Sequence, residues 1–269
     1  MIDLDEILWG EVIGHGAFAT VYRATVQGQD VAVKKLVTQN NLPMAEKSLR
    51  DFESEVALLR ELHHPNIIAF VGTCVDPVAV LTEFCHRGNL FMVVNEKGPP
   101  YTEIAWSRRL SIAKGLAAGM EYLHSRDPIL IHRDLKSLNV LLNRAWVVKI
   151  TDFGLSRFKP HSLTDIMTMQ CGTYHWMAPE VINSTQYTEK ADVYSFGIIL
   201  WEIAARAIPY EGLQPVQVVA AVINRKERPK LPEDCPEDYK ALVRSCWAQE
   251  PGDRPGFVEV VARLAAMGE

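Results

Sequence analysis

The chain has 269 residues, of which 48% are hydrophobic and 23% charged, and its formal net charge is -5. So much apolar content at so low a charge excludes a mainly disordered chain, and the acidic balance argues against general affinity for nucleic acid or anionic membrane. The five cysteines, Cys74, Cys85, Cys171, Cys235 and Cys246, stand apart without a C-x-x-C pair, which excludes a zinc-ribbon pattern and reads as free thiols in a reducing compartment.

Residues 1–6 are acidic and lack an uninterrupted apolar run, so they read as no secretory signal. Short β-branched runs predict strands at 12–13, 20–24, 31–33, 67–71 and 78–81. A helix over 46–62 interrupts them, with Leu49, Phe52, Val56 and Leu59 at the helical period. After Cys85-His86-Arg87-Gly88 the pattern turns helical, with helices over 104–124, 191–204, 215–223 and 236–247 and short strands at 129–132 and 143–150. The segment 191–204 is apolar nearly all round, as a buried central helix would be, with Asp192 and Glu202 toward its ends. Its apolar run over 193–201 is too short to span a bilayer. The expected class is α+β, a strand-rich first lobe and a helical second one with a ligand cleft between.

Gly14-His15-Gly16-Ala17-Phe18-Ala19-Thr20-Val21 is a glycine-rich turn between two strands. Its backbone N–H groups could approach phosphate oxygens, although alone it reads equally as a plain hairpin turn. A dinucleotide-binding turn needs a helix next, and here a strand follows. In Val31-Ala32-Val33-Lys34, strand alternation puts Ala32 and Lys34 on one face and the valines on the other. Glu55 borders the apolar stripe of the 46–62 helix, where a carboxylate needs a cation, and Lys34 is the candidate; Glu53 is the solvated acid. His63-His64 before Pro65-Asn66 reads as a turn rather than a metal site, because partner ligands are missing.

The strongest signal is Ile131-His132-Arg133-Asp134-Leu135-Lys136-Ser137-Leu138-Asn139, followed by Ile150-Thr151-Asp152-Phe153-Gly154. Asp134, Asn139 and Asp152 are an ordered set of oxygen donors. Mg²⁺ takes such donors together with phosphate oxygens, and an aspartate held off the metal can accept a proton from an attacking hydroxyl.

With these motifs in order, and with Ala178-Pro179-Glu180 and Arg254 after them, the chain resembles the eukaryotic protein kinases over practically its entire length. His132 to Ser137, Gly172-Thr173-Tyr174-His175-Trp176-Met177 and Cys246-Trp247 with Pro251, Arg254 and Pro255 resemble the tyrosine-kinase-like group, which includes Raf, mixed-lineage and many plant kinases. The resemblance implies one catalytic domain over 1–269, with an N-lobe to about residue 84, a hinge over about 83–88 and a C-lobe from about 89.

The resemblance also implies roles. Lys34 would hold the α- and β-phosphates of ATP and pair with Glu55; Asp134 would be the catalytic base and Lys136 would steady the γ-phosphate. Asn139 and Asp152 would hold Mg²⁺. Ile13, Gly14 and Gly16 of the glycine turn would border the nucleotide, Val21, Ala32 and Leu141 would enclose adenine, Thr82 would be a small gatekeeper, and the hinge from Glu83 to Cys85 would bond adenine through its backbone. Leu59, Phe70, His132 and Phe153 would stack into a spine between the lobes, and Glu180 with Arg254 would form a buried ion pair. Ala19 departs from the family's third loop glycine.

The expected reaction is phosphoryl transfer to serine or threonine of a protein substrate, because Lys136 stands two residues after the base and Thr173 follows Gly172. A dual-specificity or tyrosine kinase and a pseudokinase scaffold are the alternatives; a pseudokinase would lack one of Lys34, Asp134, Asn139 and Asp152. Arg133 beside the base implies control by phosphorylation at Thr168, or else at Ser162 or Thr164. No nucleic acid and no membrane span are expected. The expected location is the cytoplasm, or the nucleus, with room for flanking regulatory domains or a dimer partner in a longer parent.

Overall fold

The computed structural model describes residues 2–16, 19–36, 46–96, 103–153, 173–183 and 187–268, leaving aside the side chains of 46–49, 51 and 173. Ala17 and Phe18 of the glycine turn, the Leu49 and Thr173 side chains and the stretch 154–172, with Gly154, Ser162, Thr164, Thr168, Cys171 and Gly172, therefore lie outside the described residues.

The architecture is α+β. Strands β1 (Ile7–His15), β2 (Ala19–Val26), β3 (Gln29–Leu36), β4 (Phe70–Cys74) and β5 (Ala79–Glu83) form an antiparallel sheet in the order β1-β2-β3-β5-β4. The β2–β3 hairpin turns through Gln27 and Gly28 at φ 50° and 82°, the paired positive values that a two-residue turn needs to match strand twist. Directly opposed residues share a sheet face. The register Val21↔Lys34, Ala32↔Thr82 and Lys34↔Val80 therefore puts Val21, Ala32, Lys34 and Thr82 on one face. Val31, Val33 and Leu81, all at 0% exposure, take the other, in an apolar cluster with Ile7, Ala24, Val26, Cys74 and Ala79. Helix α1 (Glu46–Glu61) follows β3 and buries Phe52, Val56 and Leu59, with Glu55 on the border of that stripe.

The rest is mainly helical: α2 (Leu90–Asn95), α3 (Trp106–His124), α4 (Pro179–Ile182), α5 (Lys190–Ala205), α6 (Pro215–Ile223), α7 (Glu237–Cys246) and α8 (Phe257–Ala266), with a two-stranded ribbon of β6 (Val140–Leu142) and β7 (Val148–Ile150). Helix α5 is the hub, and every residue from Ala191 to Ala204 is buried. A Cβ at Gly197 would lie 2.9 Å from Cys246 Cβ, so the glycine sets how closely α5 meets the end of α7. Among the described residues, no helix is long and apolar enough to cross a membrane.

Three expectations need correction. The stretch 129–132 is not a strand, because its backbone donors are spent elsewhere: Leu130 N–H goes to Leu123 O and His132 N–H to the Asp192 carboxylate. The stretch 143–150 is a turn and then a strand. Asn143 N–H bonds Val147 O, Val147 N–H returns to Asn143 Oδ1, and Trp146 sits at φ 65°, so only Val148–Ile150 pairs with β6. The strand expected from residue 67 starts at Phe70, while Ile67 bridges to Ile150 instead.

Candidate active site

Two groups of side chains face the junction between the sheet and the helical part. The first begins on β3. Lys34 Nζ lies 2.8 and 2.9 Å from the two Glu55 carboxylate oxygens and 3.7 Å from Asp152 Oδ1. Strand alternation turns Lys34 inward, and the helical period brings Glu55, 8% exposed, to meet it. Burial alone would lower the Lys34 ammonium, but Glu55 and Asp152 outweigh that and hold it above its ordinary value. Glu53 is exposed.

Around Lys34, Val21, Ala32 and Thr82 are half-buried on the shared face, as is Leu141 on β6, which is tied to the connector through its bridge with Asn89. Gly14 pairs with Val21, and Gly16 N–H closes the glycine turn on Ala19 O at 2.7 Å; Ile13 is 44% exposed. Glu83 has its carboxylate engaged by Lys149 Nζ at 2.7 Å and by Ala69 N–H at 2.9 Å. Its backbone N–H is engaged as well, by Ala69 O at 3.0 Å, so neither that N–H nor the side chain is left for a ligand. Cys85 is buried, and burial pushes its thiol up to about 12, so it stays a neutral apolar group.

The second group is the turn from His132 to Asn139. The Asp134 carboxylate receives Lys136 Nζ at 2.7 Å and Asn139 Nδ2 at 3.0 Å, and Asn139 Nδ2 also bonds Asp134 O at 2.8 Å. Thr151 N–H bonds Asn139 O at 3.0 Å, which fastens this turn to the residue before Asp152. Arg133 and Asp152 adopt φ of 69° and 66°, values that non-glycine residues hold only when their surroundings impose them. The His132 ring reaches Thr151 O at 3.0 Å and meets the Phe153 ring at 5.4 Å. Leu59 and Phe153 share one continuous core, and Phe70 packs against it.

These residues suit magnesium. Asn139 spends its amide nitrogen on Asp134, which turns its Oδ1 away as a free oxygen donor, and Asp152 adds a carboxylate. Two protein oxygens, with phosphate and water oxygens for the rest, are a normal set for Mg²⁺. Among the described residues no cluster of three or more His, Cys, Asp or Glu could hold a metal alone, and His64 stacks on Tyr122 at 5.0 Å.

The structure adds residues to which the sequence reading gave no role. Asp192, at 0% exposure, accepts the backbone N–H groups of His132 at 2.8 Å and Arg133 at 3.0 Å, and also meets His124 Nε2 at 2.9 Å. Glu202, also at 0% exposure, accepts from Ser137 Oγ. The signal was present: acids within a helix apolar on all sides must be buried and hence partnered. Farther off, the Glu180–Arg254 pair that the resemblance implies is formed: the two Arg254 Nη nitrogens bond the Glu180 carboxylate at 2.6 and 2.9 Å, and the guanidinium also reaches three carbonyls.

Comparison with known proteins gives a consistent picture. Residues 7–264 match the family described as protein tyrosine and serine/threonine kinase. The chain is 44% identical over 269 residues to "Probable serine/threonine-protein kinase drkD" of Dictyostelium discoideum, covering 99% of this chain and 20% of that protein. It is 41% identical over 268 residues to "Probable serine/threonine-protein kinase drkA" of the same organism, covering 99% of this chain and 40% of that protein. It is 42% identical over 256 residues to "Serine/threonine-protein kinase CTR1" of Arabidopsis thaliana, covering 94% of this chain and 31% of the relative. The chain thus spans between 20% and 40% of the length of these curated relatives.

Proposed function

We propose, for a chain that belongs to the protein tyrosine and serine/threonine kinase family, that Asp134 is the base in transfer of the ATP γ-phosphoryl group to a serine or threonine hydroxyl of a protein. The hydroxyl oxygen forms a bond to the γ-phosphorus, the bond from that phosphorus to the β–γ bridging oxygen breaks, ADP leaves, and the hydroxyl proton passes to the Asp134 carboxylate. Lys136, 2.7 Å from that carboxylate, is placed to neutralise charge on the transferring group. Lys34, held by Glu55, takes the α- and β-phosphates, and the adenine lies between Val21, Ala32 and Leu141 against the backbone of residues 83–85. Asn139 Oδ1 and Asp152 would hold magnesium, whose charge offsets that of the phosphates.

One observation supports this reading above the others. The Lys34–Glu55 pair and the Asp134–Lys136–Asn139 cluster are formed together, in a chain whose curated relatives are named serine/threonine-protein kinases. A scaffold without catalysis would have no need of both. Control by phosphorylation belongs to the same reading, at Thr168 or at the alternatives Ser162 and Thr164. Buried Arg133 Nε has no hydrogen-bond partner among the described residues, and a phosphate would supply one. Phosphatase treatment should lower activity, and the triple alanine variant should match that level; a fully active triple variant removes this part of the reading.

The test of the whole is Asp134→Asn, assayed by phosphate incorporation and by ATP binding. Turnover should fall by about 10²–10⁴-fold, the usual worth of a general base, with ATP affinity retained. Turnover within a few-fold of the parent would exclude Asp134 as the base.

A further inference from the structure

We propose that Asp30, near the start of β3, is a positioning residue for nucleotide binding: through His86 and Arg23 it fastens the connector, on both sides of Cys85, to the β2–β3 hairpin. For its ligand, ATP, this rests on the kinase reading. Four side chains close into a clasp. His86 Nε2 lies 2.9 Å from Asp30 Oδ2, and the same oxygen accepts from Arg23 Nη2 at 3.1 Å. The Arg23 guanidinium lies over the Phe84 ring, 5.0 Å from its centroid, and the Phe84 and His86 rings meet edge to face at 4.8 Å.

The clasp sits where the sheet hands over to the connector. Val31 pairs with Glu83 at the end of the β3–β5 ladder, and Asp30 is the residue just before it. Arg23 stands opposite Ala32 in the β2–β3 register, so it shares the face of Val21, Ala32 and Lys34. Phe84 and His86 both meet the hairpin, whereas Cys85 between them is buried in the core of the helical part. The connector is therefore gripped from both lobes within three residues. Asp30 is the acid on which the grip depends. Among the described residues no other carboxylate pairs with Arg23 or His86. The His86 hydrogen bond and, after it, Arg23 hold the Asp30 carboxyl below its ordinary value, so it is ionised at neutral pH.

The consequence is for binding rather than for chemistry. In the proposed function the adenine lies between residues of the sheet and the backbone of the connector, so its site is only as well formed as the fit between the two. The clasp fixes that fit in advance, which spares a nucleotide the cost of ordering it. Asp134, in the turn from His132 to Asn139, takes no part in the clasp. Arg23 is 40% and Asp30 27% exposed, so water screens the pair and its effect is moderate.

The experiment compares D30A, D30N, H86A and the D30A/H86A double variant with the parent. Calorimetry should show ATP binding about tenfold weaker in D30A, the low end of the worth of a hydrogen bond to a charged group. With ATP saturating, kcat should stay within about twofold, as when an interaction made equally before and during the reaction is removed. D30N keeps an oxygen for both partners and should bind ATP within about threefold of the parent. Because His86 acts through Asp30, the double variant should bind ATP within about twofold of D30A alone. Without nucleotide, the backbone amides of residues 84–88 should exchange hydrogen faster in D30A than in the parent. Unchanged ATP affinity in D30A, additive losses in the double variant, a kcat that falls with the affinity, or unchanged exchange at 84–88 overturns the proposal. A parent that binds no ATP ends the kinase reading and the nucleotide role of Asp30 with it. The exchange arm uses no nucleotide, so it still decides whether Asp30 fastens the connector, and failure of D30A beside a parent that binds ATP is failure of this proposal alone.

Discussion

Asp192→Asn separates a carboxylate that holds the catalytic turn from one that is merely buried. Asp192 Oδ2 takes His132 N–H at 2.8 Å and His124 Nε2 at 2.9 Å, while Oδ1 takes Arg133 N–H at 3.0 Å and Tyr187 OH at 3.4 Å. An asparagine keeps one oxygen and turns an N–H₂ toward one backbone N–H, whichever way it sits. The milder choice puts the nitrogen beside His124, whose ring can become the acceptor, and leaves His132 N–H without one. A buried donor left unsatisfied costs about 1–3 kcal/mol. Asp192→Ala would strip both backbone donors, about 2–6 kcal/mol as twice that cost, against a total stability of about 5–15 kcal/mol, so it risks unfolding the chain. Arg133 at φ 69° carries strain of about 1–3 kcal/mol that this anchor restrains, and its release moves the neighbouring Asp134. Asp192→Asn should therefore lower the urea midpoint at unchanged slope and reduce kcat by about ten- to a hundredfold. A variant within about 0.5 kcal/mol of the parent, the scatter of neutral surface changes, and with an unchanged kcat would refute the reasoning.

Lys34→Met leaves the Glu55 carboxylate buried without its cation; with the Lys34 side chain 31% exposed, the loss is about 1–3 kcal/mol. Calorimetry should show weakened ATP binding, and unchanged affinity would argue against Lys34 as the phosphate ligand. Arg254→Leu takes the guanidinium away from the Glu180 carboxylate and from the carbonyls of Lys190, Ala248 and Gln249, so thermal unfolding should report a loss of about 3–5 kcal/mol while the folded fraction keeps its KM for ATP. The Glu202 carboxyl is raised from 4.5 to about 8 by burial, so the stability that its bound proton contributes is full below pH 4.5 and is lost as pH rises to about 8. The Tm difference between the parent and E202Q should shift against the parent from pH 5.5 to 8 and then level off; a pH-independent difference would show that Glu202 does not titrate in that window.

The parts of the fold legible in the sequence are those set by local periodicity. Alternation in Val31-Ala32-Val33-Lys34 assigns each side chain to a face whatever the rest of the chain does, and the helical period brings Glu55 to the edge of its stripe. The bounds of α6, Pro215–Ile223, are local too, because a proline opens the helix at the first helical position. What stayed hidden depends on distant partners. Residues 129–132 have strand composition, but His132 and Arg133 give their N–H groups to Asp192, some 60 residues on. Helix α2 is short, helix α8 begins after Pro255-Gly256, and neither is marked by the local pattern, because each is stabilised chiefly by what it packs against: α8 against α3, and α2 against the catalytic turn. Asp192 and Glu202 looked like polar ends of an apolar segment, whereas the structure buries both.

Those two acids explain why so apolar a helix stands beside the catalytic turn. They are ten residues apart on α5, which at 1.5 Å per residue is about 15 Å along the axis. Asp192 fastens the start of the turn, at the N–H groups of His132 and Arg133, and Glu202 fastens Ser137. Asp134 and Lys136 lie between the two anchors. A loop pinned at both ends to one rigid rod cannot slide along it, and the rod is rigid because every side chain from Ala191 to Ala204 is packed. The anchors differ in kind to suit what they hold. Backbone N–H groups need an acceptor, which Asp192 supplies with two oxygens. Ser137 and Trp176 are side-chain donors on separate segments, and the longer Glu202 side chain accepts one of them on each of its oxygens. Exchanging the two residue types would misfit both places: a longer acid at 192 would push against the backbone it must cap, and a shorter one at 202 could not span from Ser137 to Trp176. Positioning of the candidate base is therefore distributed over one helix whose two acidic residues touch neither nucleotide nor substrate in this reading.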